Sequence, residues 1–352
     1  MDAKSSDLWM GKQPRANRQV SVKLFYERAL KCRAAGDGPQ AKVFMRAAIG
    51  IDVGGTDIKV GIVLEDGRVL ASKAIATWVG SGREGVILGT RAAIDYATAT
   101  SRELGVKLTA VGMGLPGTVT GKRGLVLEDP PQIPGLVGFE AATFLRAETG
   151  LPAAVDNDAS LAAFGESRVG AGRDVPTVLM ITVGTGIGGG LVMAGQLVRG
   201  RYGTGGEIGH SGFDPQGPPC PHGGRGCLEM YCSATAVVRE YVARGGNPAS
   251  TARSVVEAAR GGEDRALHVL TWAGNNLGRG LASFANVVPP DLILLGGGLS
   301  GAGELLLRPV RDGFAAQALP HVTKGVRIKA AILGNAAGMV GAALLAFEEG
   351  LG

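Results

Sequence analysis

The chain has 352 residues, of which 45% are hydrophobic, 59 are glycine and only 5% are aromatic. That length and apolar content suit a large core shared by two domains, and glycines without a three-residue period exclude collagen and mark turns and close backbone approaches. The net charge of +5 belongs to the first 48 residues, where ten Lys/Arg meet four Asp/Glu; the rest carries 26 against 27, which argues against a nucleic-acid groove in the globular part.

The four cysteines are Cys32, Cys220, Cys227 and Cys232. They are too few and too bunched for a disulfide framework, so a reducing, cytoplasmic compartment is expected. No apolar run reaches the roughly 18 residues of a membrane span, and the N-terminus lacks an apolar signal core.

Residues 1–45 form a basic leader, expected to be disordered or weakly helical near 24–32. It is too short for a winged-helix DNA-binding domain. Met45 is a candidate natural start, with the leader a start-site artefact; a native mass matching the whole chain rules that out. From Ala47 the pattern is a meander. Strands are expected over 49–53, 58–64 and 69–76, with the Gly54-Gly55-Thr56 turn first and an Asp66-Gly67 hairpin next. A helix over 84–104, a strand over 109–113, a helix over 139–149 closed by Gly150, a strand over 152–156 and a helix over 158–169 follow. A second meander begins at 178–183, turns through the glycines of 184–190 and continues over 191–193 and 196–198. Ile51-Asp52-Val53-Gly54-Gly55-Thr56 and Ile181-Thr182-Val183-Gly184-Thr185-Gly186 are one strand–turn–strand unit, repeated after roughly one domain length. That predicts a duplicated α/β unit with two glycine turns facing one ligand. The remainder predicts a helix over 228–244, a long helix from Asp264, a strand over 291–295 before Gly296-Gly297-Gly298, a strand over 326–333 and an apolar helix over 336–347.

Gly184-x-Gly186-x-x-Gly189 formally fits a dinucleotide fingerprint, but it opens a strand where that fingerprint opens a helix. An ordinary glycine hairpin is the bland alternative. Against it, the unit recurs, and Asp52, Thr56, Lys59, Thr182 and Thr185 sit at the tips. Such N–H groups and hydroxyls cradle phosphate oxygens, and an Asp at the strand end can hold the water shell of Mg2+. Asp158 stands where a strand gives way to a helix. From its position alone it reads as an N-cap; the functional alternative is a base for an acceptor hydroxyl at a strand end, where open α/β sheets bind ligands. His210, Cys220, His222 and Cys227 place four donors within eighteen residues of a Gly- and Pro-rich loop. That mix suits a closed tetrahedral Zn2+ site of structural role.

Taken in order, these motifs resemble the ROK family of sugar kinases and sugar-responsive repressors, and within it the bacterial-type glucokinases, from about Arg46 to the C-terminus. The resemblance rests on 51–56 as a first phosphate motif, Gly114-Leu115-Pro116-Gly117 and Ile133-Pro134-Gly135 as sugar-side loops, and Asn157-Asp158. It continues through 182–190 as a second phosphate motif, Glu207-x-Gly209-His210, the Cys-rich loop ending in Glu229, the adenosine-side glycines of 295–300 and Gly334 to Gly338. In three places the chain departs from the family pattern. His222 stands for the second Cys of the loop, Gln132 for a common Asn, and Ser160 for an Asn or similar residue.

The resemblance implies an α/β, actin-like (ribonuclease H-like) duplicated fold with two domains around a central cleft. The smaller domain would comprise 46–165 plus 336–352 and the larger 166–335. It implies ATP with Mg2+ phosphorylating the 6-hydroxyl of a hexose, glucose foremost, with Asp158 as general base. Gly117, Asn157, Asp158, Glu207, His210 and Glu229 would bind the sugar. Asp52, Gly54, Gly55, Thr56, Lys59, Thr185, Gly186, Gly297 and Gly298 would bind the nucleotide and its phosphates. Zn2+ on the Cys-rich loop would brace the recognition residues, and the chain would pair as a homodimer. N-acetylmannosamine, N-acetylglucosamine, fructose or mannose as acceptor, polyphosphate as donor and a non-catalytic sugar-responsive regulator are the alternatives. An actin-like ATPase acting on proteins would leave the sugar-side motifs idle.

Overall fold

The computed structural model describes residues 45–76, 81–130 and 133–349; the expected leader helix and Gln132 lie outside the described residues. Three antiparallel strands open the fold: β1 (Arg46–Val53), β2 (Asp57–Leu64) and β3 (Val69–Ala76). Helix α1 (Gly82–Leu104) crosses to β4 (Lys107–Leu115), which lies parallel to β1. A small hairpin, β5 (Val119–Thr120) with β6 (Leu125–Val126), and α2 (Ala141–Thr149) lead to β7 (Ala153–Asn157), parallel to β4. Helix α3 (Asp158–Val169) then enters the second half.

That half repeats the plan. β8 (Thr177–Val183), β9 (Ile187–Met193) and β10 (Gln196–Leu197) form the meander. Helices α4 (Glu229–Cys232), α5 (Ala234–Ala243), α6 (Ala252–Arg260) and α7 (Asp264–Ala285) precede β11 (Leu292–Gly296). Helices α8 (Glu304–Gln317) and α9 (Pro320–Gly325) precede β12 (Arg327–Ala330), and α10 (Ala337–Glu349) ends the described chain. The sheets run β3-β2-β1-β4-β7 and β10-β9-β8-β11-β12. Counted within each half, both orders are third, second, first, fourth, fifth. The repeated strand–turn–strand unit is thus the visible part of a whole duplicated topology. With a cleft between the two sheets, this is the actin-like, ribonuclease H-like duplicated α/β fold.

Each sheet has its own core, with α1 and α2 on the first and α5 to α8 against the second. A third core joins α3 and α10 between the sheets. Covered on both faces, β1 is a nearly continuous apolar run rather than an alternating one. Gly50 of β1 and Gly112 of β4 are register partners under α10. A Cβ on either would lie 2.0 Å from the Met339 carbonyl oxygen or 1.9 Å from that of Ala342, so only glycine lets the helix backbone rest on the sheet.

Several elements differ from expectation. The helix expected over 228–244 is broken at Ser233, which turns extended (φ −71°, ψ 166°) and caps α5 by accepting from the Ala236 N–H. The strand expected over 326–333 ends at Ala330, because the N–H groups of Ile332 and Leu333 donate to the buried Glu166 carboxylate instead of to a ladder. Helices α6 and α8 were not foreseen; Pro309 inside α8 disguises a helical pattern. Among the described residues, no helix is long and apolar enough to cross a membrane.

Candidate active site

β1, β4 and β7 run parallel and finish together, which lines up Asp52, Gly114 and Asp156 in one row of the sheet and Asn157 one step further on. Asn157, not Asp158, is the N-cap of α3: its Oδ1 accepts from the Ser160 N–H at 3.0 Å. Its Nδ2 donates to the Gly117 carbonyl at 3.1 Å and fixes the turn that brings Gly117, with φ +88°, to the cleft. Asp158 is thereby released from capping. It occupies the first helical position, its Oδ1 accepting from the Ala159 N–H at 2.8 Å. Burial, then the nearby Asp52 charge, with Glu207 adding, push its carboxyl up to about 7. A carboxyl of that kind is suited to take a proton near neutral pH.

The cleft beyond Asp158 has a volume of about 690 Å³. Gly117, Asn157, Glu207, His210 and Glu229 line it together with Thr182, Thr185, Gly186 and Gly297. The two sets are tied together. Glu229 opens α4, and its Oε2 accepts from the Ile187 N–H at 2.8 Å, beside the turn of β8 and β9. A Cβ at Gly186 would sit 2.3 Å from that same oxygen. The turn is also pinned to the start of α5: Ala234 N–H donates to the Gly184 carbonyl and the Thr235 hydroxyl to the Thr185 carbonyl, both at 2.8 Å. Burial raises Glu207 above the usual carboxylate range, with Glu128 and Glu229 adding and His222 opposing.

Asp52 does not line the cleft, though its charge reaches Asp158. Its carboxylate accepts from Lys59 Nζ at 3.3 Å, and burial raises it while Lys59 opposes. Gly54, Gly55, Thr56, Lys59 and Gly298 do not line the cleft wall. The four expected metal donors divide into two groups. His210, Cys220 and Cys227 have ligand atoms within 4.8 Å of one another, with His210 Nδ1 3.8 Å from Cys220 Sγ. His222 instead gathers with His210 and Glu229. Two thiols and an imidazole at that spacing suit Zn2+. Cys232 is buried, and its thiol donates to the Leu228 carbonyl, a core residue as its spacing suggests.

The ROK family model matches residues 48–349. The chain belongs to the ROK family. The glucokinase of Halalkalibacterium halodurans is 35% identical over 318 residues, covering 86% of this chain and 95% of that protein. A solved ROK family glucokinase from Streptomyces griseus, in complex with glucose and AMPPNP, is 36% identical with a TM-score of 0.75 and covers 86% of this chain and 99% of its own. A solved ROK family transcriptional regulator, a homologue of the Escherichia coli MLC protein, is 27% identical with a TM-score of 0.79, over 92% of this chain and 84% of its own.

This ROK cleft also holds residues that the sequence motifs passed over. Glu128 lines it and accepts from the Thr118 hydroxyl at 3.2 Å. Asp129 accepts the N–H groups of Gly135 and Val137, each at 2.8 Å, and these bonds hold its carboxyl below the usual range. Arg83 grips the carbonyls of the same two residues. The acidic pair ahead of Pro130 was the available signal. Arg239, midway along α5, also lines the cleft.

Proposed function

We propose that this chain transfers the γ-phosphoryl group of ATP, supplied as its Mg2+ complex, to the 6-hydroxyl of a hexose, with glucose the first candidate. The single observation that carries this reading is Asp158, a buried carboxyl raised toward neutrality in a cleft lined by carboxylates and by glycine turns alike. Sugar hydroxyls need strong acceptors and an imidazole; phosphate oxygens need N–H groups and hydroxyls.

In the proposed reaction the hexose hydroxyl oxygen attacks the γ-phosphorus. The new O–P bond forms as the bond to the bridging oxygen of ADP breaks, and the hydroxyl proton passes to Asp158. Asn157, Glu207, His210 and Glu229 orient the acceptor, with Gly117 at the rim. Thr185 and Gly186 bind phosphate oxygens, Gly297 and Gly298 lie on the adenosine side, and Asp52 holds the hydrated Mg2+. Gly54, Gly55, Thr56 and Lys59 keep a phosphate role on the strength of their motif alone. Little covalent chemistry falls to the protein, so positioning and charge neutralisation carry the rate. His210, Cys220 and Cys227 would hold Zn2+, which supplies structure rather than chemistry. The bond from Ile187 to Glu229 couples acceptor and donor sites. We assign 46–165 with 336–352 to one domain and 166–335 to the other, a division supported by α10 resting on the first sheet.

The test is a coupled ADP-release assay over glucose, mannose, fructose, N-acetylmannosamine and N-acetylglucosamine, with ATP and polyphosphate as donors. Hexose-dependent ADP release with glucose fastest is expected; release indifferent to every sugar defeats the reading. The structural likeness to a family regulator gives a second reading, sugar-responsive DNA binding. Sequence-specific binding of the full chain at moderate salt, with no turnover, would favour it.

A further inference from the structure

We propose that His222 is a sugar-contacting, specificity-determining residue and not a ligand of the structural metal, an inference that rests on the cleft being the hexose site. The loop between the two cysteines explains how this arises. Gly223 N–H donates to the Cys220 carbonyl at 3.0 Å, and Cys220 N–H donates to the Gly224 carbonyl at 3.2 Å. Gly223 and Gly224 have φ of +90° and +73°. This tight turn folds Cys220 back toward Cys227, and both thiols are buried. The tip of the turn, Pro221 and His222, is left outside and lines the cleft, whereas neither cysteine does.

Three features place the His222 imidazole with the acceptor-side groups. Its ring centroid is 4.0 Å from that of His210. Its ligand nitrogen lies within 4.8 Å of both His210 and a Glu229 oxygen, while it is absent from the group that contains the thiols. His210 therefore forms the partition. Its Nδ1 faces Cys220, and its ring closes the cleft wall beside His222. Histidine at 222 thus puts a hydrogen-bonding ring on the cleft side of that partition. An imidazole both donates and accepts, and its fixed place beside Glu229 lets it bond a hydroxyl in one position and miss its epimer, which points elsewhere. His210, Cys220 and Cys227 would remain as the protein donors of the metal.

The experiment compares the unmodified chain with His222→Ala, His222→Cys and Cys220→Ala. Zinc per chain is measured by elemental analysis after gel filtration, together with melting temperature, hexose affinity by calorimetry and KM for each hexose and for ATP. His222→Ala is expected to keep the zinc content and melting temperature of the unmodified protein. Its hexose affinity should fall about tenfold, the effect of one lost hydrogen bond, and its preference among epimers should narrow, with KM for ATP unchanged. Cys220→Ala is expected to lose zinc. Loss of zinc from His222→Ala to the level of Cys220→Ala overturns the proposal, and so does retained zinc with unaltered hexose affinity and preference. Failure of the functional reading shows separately, as absent hexose binding and turnover in the unmodified protein.

Discussion

At the carboxyl ends of the first sheet stand Asp52, Asp156, Asn157 and, beginning the next helix, Asp158; at the matching ends of the second stand Thr182, Gly184 and Gly297. The two sheets share one strand order, and Ile51-Asp52-Val53 and Ile181-Thr182-Val183 occupy corresponding places in it. The first half has concentrated ionisable groups whose charges press on one another, as Asp52 presses on Asp158. The strand ends of the second sheet offer hydroxyls and bare backbone, and its acids, Glu207 and Glu229, stand beyond the sheet, before a short helical turn and at the start of α4. On the proposed reading, the duplicated scaffold divides into a half that manages a proton and a half that receives an anion.

Four experiments probe that division, in falling order of effect. Prolonged chelation followed by Mg2+ alone is expected to abolish turnover, since the loop bearing Glu207, His210 and Glu229 loses its brace. Full activity in protein shown to be free of zinc would remove the metal from the account. Arg199→Ala attacks the link between the halves. Arg199, from just beyond β10, donates to the buried Asp156 on β7 and pairs with Glu349 of α10 at 2.8 Å. Leaving Asp156 without that partner should cost about 3 kcal/mol, toward the low end for a broken buried pair because Arg199 is partly exposed. Denaturant unfolding reads it, and an unchanged midpoint contradicts the link. Gly186→Ala should raise KM for hexose and for ATP together, by about tenfold each, because its methyl displaces the Glu229 carboxylate from Ile187. A change in only one constant would separate the two sites.

The smallest effect, within one unit of neutrality, is on pH. Asp158 must be ionised to act, so kcat/KM should fall about tenfold per unit as pH drops below about 7. Stability moves the opposite way. A folded-state carboxyl near 7 lies above its unfolded value of 3.8, so its contribution to stability is lost as pH rises through about 7 and gained as pH falls through that value. Activity that stays flat from pH 8 to 5 would contradict the tuning.

Much of this was legible in the residues. Alternation and the Asp66-Gly67 turn marked the first meander, and the paired glycine motifs announced the duplication. Asp158 was ambiguous in the sequence because a cap and a base occupy the same place in a chain; in the structure Asn157 takes the cap, which leaves Asp158 available for the proposed role. Glu128 and Asp129 offered only an acidic pair ahead of Pro130 as a signal, since a loop acid has no periodicity to betray it. The sequence grouped His222 with the cysteines by spacing, but the direction of its ring depends on a turn made of two left-handed glycines. Ser233 breaks a helix that local propensity would have continued, because α4 must carry Glu229 to the Ile187 N–H.

The measurement closest to the centre of the account is Asp158→Asn, assayed for hexose-dependent ADP release and, on the same sample, for hexose affinity by calorimetry. The account predicts turnover lower by about 10²- to 10⁴-fold with affinity within about threefold of the unmodified protein. Near-normal turnover, with hexose binding intact, would contradict it.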